Sequence, residues 1–103
     1  MIRNFLFFVS LLPSLLIAEV IIDVRTPEEY QSAHLDKAIN IEWQNILSIK
    51  SNYDKTEKIY LYCRSGNRSQ KATEILLEAG FIEVVNLGSL KQASEILKLK
   101  IIK

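Results

Sequence analysis

One stretch of this 103-residue chain has the residue types for chemistry: Tyr62–Gln70, YCRSGNRSQ, which holds its single cysteine, Cys63. Arg64 and Arg68 follow within five residues, with no acidic residue between them. A cysteine is a nucleophile as its thiolate, and nearby positive charge or a helix N-terminus brings its pKa below the free value of about 8.5. The backbone N–H groups of a strand-to-helix turn can converge into an anion-binding concavity, and Gly66 lets that turn take unusual angles. The helix expected from about Ser69 points its positive end at the same place. The features that ionise Cys63 would therefore also hold an anionic substrate. The plainer readings are a cysteine that ends a core strand and arginines of an ordinary solvated loop. The shared loop favours the chemical reading over both.

The neighbouring segments show what positions this loop. KIYLYC, running into Cys63, reads as a strand rich in β-formers. SQKATEILLEAG reads as a helix: Ala72, Ile75, Leu76 and Ala79 share one face, and Gly80 sits where a helix-ending glycine belongs. Upstream, the run Val20–Ile22 ending in Asp23 reads as a buried parallel strand. TPEEY then carries a T-x-x-E capping box with Pro27 at the first helical position, for a helix to about Ala33. AINI is a short strand within a return loop. EWQNILSI reads as a helix with Trp43, Ile46 and Leu47 on one face. FIEVVNL is a further buried strand, and GSLKQASEILKLK a turn and a last helix. Strands and helices alternate, which predicts an α/β fold: a short parallel sheet with helices on both faces. Ligands bind beyond the C-terminal ends of such strands, where Asp23 and Cys63 fall.

The N-terminus reads differently. Arg3 and the amino group precede an apolar run, Phe5–Ala18, with Pro13 and Ser14 near its middle and the small Ala18 at a plausible cleavage point. That order is a secretory signal peptide, and the run is short of the roughly 20 residues of a membrane span. The expected organisation is a signal at residues 1–18 and one domain at 19–103, exported to a periplasm and free of the membrane once cleaved. A retained anchor is the alternative. A lone cysteine in an exported chain is either an intermolecular bridge or a reactive thiol. Lys+Arg number 13 against 12 Asp+Glu, which argues against a nucleic-acid partner. No metal or other cofactor is expected, and the domain is expected to act as a monomer.

VIIDVRTPEEYQSAHLDKAINI, YLYCRSGNRSQKATEILLEAGF and VVNLGSLKQA together resemble single-domain rhodaneses, in particular the small exported phage-shock type. The likeness runs from about Val20 to Ala93 and rests on C-x4-R, DVR-x-x-x-EY and H-x-x-x-A-I-N in the family's order. It implies a thiosulfate sulfurtransferase with a rhodanese-like fold, a small anionic sulfur donor and a thiophilic acceptor such as cyanide or a thiol. By position Cys63 would be the nucleophile that becomes a persulfide. The loop Arg64, Ser65, Gly66, Asn67, Arg68 and Ser69 would bind substrate, its amides cradling the anion and the two arginines taking the sulfonate end. A persulfide carrier serving a protein partner is the alternative.

Two departures from the family stand out: Ala33-His34-Leu35-Asp36-Lys37-Ala38 where relatives often have Gly-His-Ile-Pro-Gly-Ala, and Gly88-Ser89 where they often have Gly-Gly. The first would loosen a turn, and the second would narrow the rim of the site. Phosphatases and arsenate reductases of the related fold use C-x5-R, but the sixth residue after Cys63 is Ser69. His34, the only histidine, is read as orienting a loop. Asp23 and Arg25 are read as loop bracing, for instance through Glu28 or Glu29, rather than as pocket wall. Trp43, Tyr60 and Tyr62 are read as core.

Overall fold

The computed structural model describes residues 19–103, so the signal-peptide reading of residues 1–18 lies outside the described residues. Four strands, β1 (Val20–Asp23), β3 (Ile39–Asn40), β4 (Lys58–Cys63) and β5 (Glu83–Ser89), form one sheet in the order β3-β1-β4-β5, and every pairing is parallel. The expected fold class is the observed one. A parallel sheet covered on both faces buries alternate residues in opposite layers. Val20, Ile22, Ile59, Leu61 and Cys63 face one layer, with Ile46, Ile49, Ala72, Leu76 and Phe81. Ile21, Tyr60 and Tyr62 face the other, with Leu35, Ala38, Leu87 and Ala93. Tyr60 and Tyr62 are core residues, and Trp43 packs against the first layer half-buried.

Among the described residues three α-helices flank the sheet: α1 (Pro27–Ser32), α2 (Asn67–Glu78) and α3 (Leu90–Leu97). The capping box of α1 forms as the sequence predicts, with Thr26 accepting from the Glu29 N–H and Glu29 accepting in return. Helix α2 begins at Asn67, two residues before the expected start, because Gly66 takes a left-handed φ of 99° and turns the chain into it.

The segment Trp43–Ser51 is a 3₁₀-helix rather than an α-helix. At three residues per turn the inward face repeats every third residue. Ile46 and Ile49 are therefore buried beside Trp43, while Leu47, expected inside, is exposed. A second difference is a small antiparallel ribbon that sequence patterning does not show. Strand β2 (His34–Leu35) pairs with β6 (Ile101–Ile102), and the Asp36 N–H donates to the Lys100 carbonyl at 2.9 Å. The turn after β2 closes through the Ala38 N–H to the Leu35 carbonyl, with Lys37 at a φ of 73°. This is where relatives often carry glycine, so the departure noted in the sequence falls on a residue in a strained conformation. Among the described residues no helix is long and apolar enough to cross a membrane.

Candidate active site

The C-terminal strand ends place Asp23, Cys63 and Ser89 along one edge of the sheet, with Cys63 in register with Ser89. The chain then turns through Arg64, Ser65 and Gly66 into α2. That turn carries the Gly66 N–H to 3.0 Å and the Ser69 N–H to 3.4 Å from Cys63 Sγ, and the Ser69 hydroxyl lies at 3.3 Å. Burial works against ionising this thiol. The Ser69 hydroxyl, where its proton faces the sulfur, and the Ser69, Gly66 and Ser65 N–H groups favour the thiolate and together outweigh burial, so the pKa lies below the ordinary value. Cys63 is only 1% exposed, so the sulfur lies at the floor of the loop.

Each residue of the expected binding loop has a definite place. Gly66 and Ser69 point N–H groups at the sulfur. Arg64, Ser65 and Asn67 are exposed, and Asn67 opens α2. Arg68 turns back to α1, where its two terminal nitrogens meet the Glu29 carboxylate at 2.8 and 3.0 Å. This bidentate pair makes Glu29, already half of the α1 capping box, the partner of an active-loop arginine. Sequence reasoning assigned Glu29 to the cap and offered it to Arg25.

Arg25 braces a different group. It donates to Asp23 through its backbone N–H, Nε and terminal nitrogen, the last at 2.6 Å, and to the Ala33 carbonyl. Both residues are buried. The bracing reading holds, with Asp23 in place of Glu28 or Glu29. Asn40 ties the end of β3 to the same corner by donating to the Asp23 and Arg25 carbonyls. His34 stacks on the Tyr30 ring at 3.9 Å, with Nδ1 2.9 Å from the Tyr30 carbonyl oxygen, as a loop-orienting residue should. Ser89 does not project over the site. Its hydroxyl caps α3 by accepting from the Gln92 N–H, and Gln92 accepts from the Ser89 N–H.

Asn86 was not singled out from sequence. From β5 it donates to the Gly66 carbonyl and lies within hydrogen-bond reach of Ser69 and Gln70. No motif at the sequence level marks it, because its partners in the loop and α2 lie sixteen to twenty positions away.

A doubly covered parallel sheet with a loop of N–H groups closing on a cysteine at its C-terminal edge is the arrangement of a rhodanese-like protein, and comparison with known proteins agrees. The Rhodanese-like domain family matches residues 11–95, and this chain belongs to that family. It is 42% identical over 76 residues to thiosulfate sulfurtransferase PspE of Escherichia coli, covering 72% of this chain and 73% of that one. It is 37% identical over 76 residues to the adenylyltransferase and sulfurtransferase UBA4 of Meyerozyma guilliermondii, covering 66% of this chain but 18% of that longer protein. Among solved structures it is similar to a rhodanese with anions from E. coli, with a TM-score of 0.73, 38% identity, and coverage of 84% of this chain and 99% of that chain.

Proposed function

We propose that this protein is a sulfurtransferase that moves a sulfane sulfur from thiosulfate, through a persulfide on Cys63, to a thiophilic acceptor such as cyanide or a thiol. The observation that carries this reading is the sulfur itself, held by converging N–H groups of Gly66 and Ser69 in a loop with two arginines. The sequence likeness to a thiosulfate sulfurtransferase supports the choice of donor.

In the first half-reaction the Cys63 thiolate attacks the outer sulfur of thiosulfate. A new S–S bond forms, the bond to the sulfonate sulfur breaks, and its electron pair leaves with sulfite. The thiolate's negative charge passes to the outer sulfur of the persulfide, which stands about 2 Å beyond Sγ. In the second half-reaction cyanide takes that sulfur as thiocyanate and the Cys63 thiolate returns. Neither step moves a proton, so the absence of a histidine or carboxylate hydrogen-bonded to Sγ is consistent with the chemistry. The loop amides would stabilise the anionic persulfide. Arg64, exposed and without a side-chain partner among the described residues, would take the sulfonate. Arg68, its charge met by Glu29, would stiffen the loop. The apolar leader supports placing this reaction outside the cytoplasm.

Intact-mass analysis after exposure to thiosulfate tests the reading. One added sulfur and released sulfite are expected, both lost in Cys63→Ser. An unchanged mass with no sulfite would sink thiosulfate as the donor. A persulfide that forms but turns over only with a protein acceptor would replace the enzyme with a carrier. The mass of the exported chain also reads whether cleavage follows Ala18.

A further inference from the structure

Ser69, at the third position of α2, has a hydroxyl with one proton and three acceptors in reach. Asn86 Oδ1 lies at 2.6 Å, the Gly66 carbonyl oxygen at 3.2 Å and Cys63 Sγ at 3.3 Å. The acceptor that takes the proton decides whether the sulfur faces a donor or a lone pair.

The surroundings of the Asn86 amide settle which end faces Ser69, as assignment of an amide requires. The Gly88 N–H donates to Oδ1 at 3.0 Å. Nδ2 donates to the Gly66 carbonyl and to Gln70 Oε1, each at 3.1 Å. Gln70 is oriented in turn, because its Nε2 donates to the Glu74 carboxylate at 2.9 Å. Turning the Asn86 amide over would set Nδ2 against an N–H and Oδ1 against two oxygens. Oδ1 therefore faces Ser69 as an acceptor only, and two oxygens 2.6 Å apart need a proton between them.

We propose that Asn86 is a positioning residue that takes the Ser69 hydroxyl proton and withholds that donor from Cys63, moderating the ionisation of the nucleophile. The Ser69 oxygen then offers Sγ a lone pair, which accepts from a thiol S–H and repels a thiolate. The chain Cys63 S–H to Ser69 O–H to Asn86 Oδ1 favours the protonated sulfur, and the backbone N–H groups favour the anion. Such a balance has a use in sulfur transfer. A thiolate loses nucleophilicity as its pKa falls, while a thiol of low pKa leaves faster, and Cys63 must both attack and leave. The inference rests on the proposed function only in taking Cys63 as the nucleophile.

The test is the pH dependence of Cys63 alkylation by iodoacetamide, on the full chain with no sulfur donor, with circular dichroism to check folding. Its failure is thus distinct from a failure of sulfur transfer. The charged groups around the loop are Arg64 and Arg68, Glu29 from α1, Asp23 at the end of β1 and Arg25 after it; the end of β5 brings only the uncharged Asn86, Gly88 and Ser89. All five charges are unchanged in every variant. In Asn86→Ala the freed hydroxyl turns to the sulfur, and the alkylation pKa falls by about one pH unit, the size of one hydrogen bond to a charged group. In Ser69→Ala, which removes only a weak acceptor for the S–H, it falls by no more than a few tenths, and the double variant matches Ser69→Ala. If Asn86 only scaffolded the loop, its removal would leave the pKa unchanged or raise it, and that result overturns the proposal. So does a rise of about one unit in Ser69→Ala, which would show the hydroxyl serving the sulfur. Should Asn86→Ala fail to fold, Ser69→Ala decides alone.

Discussion

Glu29 has two duties, and its titration reports both. The Arg68 ion pair holds its carboxyl well below the ordinary value, at about 2; burial opposes this, and bonds from the Thr26 N–H and hydroxyl reinforce it. A carboxyl whose pKa is lower in the folded state contributes stability that is complete above its unfolded pKa of 4.5 and is lost as pH falls toward 2. Urea melts across that window should show the parent losing more stability than Glu29→Gln, and parallel losses would remove Glu29 from the acid response. At the same scale, Arg64→Ala should raise the thiosulfate KM by roughly tenfold or more, the value of one charge-assisted hydrogen bond, with a smaller change in kcat. An unchanged KM in steady-state sulfite release would shift sulfonate binding to Arg68 and the loop amides.

At the scale of elements, the turn between β2 and β3 separates two substitutions toward the family's usual residues. Lys37 has a φ of 73°, which disfavours any side chain with a Cβ. Lys37→Gly should therefore stabilise the fold by up to about 1 kcal/mol, less what glycine costs in the unfolded chain. Asp36→Pro should do the reverse, since it deletes the N–H that donates to Lys100. Thermal melts of the two single variants check the opposite signs, and a shared sign would refute this view of the turn. The active loop rests on another such element. Gly66, at a φ of 99°, is both the cap of α2 and a donor to the sulfur, so helix geometry and thiolate stabilisation share one residue.

For the whole molecule, the C-terminal strand closes the layer opposite Cys63. Ile101 packs on the cluster of Leu35, Ala38 and Ala93, and β6 pairs with β2. Deleting residues 100–103 should cost about 2 kcal/mol from lost apolar burial and hydrogen bonds, lowering Tm by roughly 10 °C for a domain of this size. Sulfite release at 20 °C or below should persist, because the deleted strand touches neither the loop nor its braces. Loss of activity in a chain still folded by circular dichroism would contradict that separation of the layers.

The local features legible in the sequence are those with local causes. Buried strands announce themselves by apolar runs, α2 by its periodicity, α1 by its capping box, and the thiolate loop by the order of Cys63, Gly66 and Arg68. Other features depended on partners distant in sequence. The 3₁₀ geometry of Trp43–Ser51 exchanged Leu47 for Ile49 in the core. The two-residue strands β2 and β6 are too short for any period to show and exist because they meet. Glu29 reached Arg68 across thirty-nine positions, and Asn86 reached Ser69 across seventeen. The sequence by itself marked Cys63, its loop and the alternation that builds a parallel sheet, since each depends on neighbours along the chain. Tertiary structure alone decided which charge holds Arg68 and which oxygen takes the Ser69 proton, because hydrogen bonds depend on distances in space, and folding sets those distances.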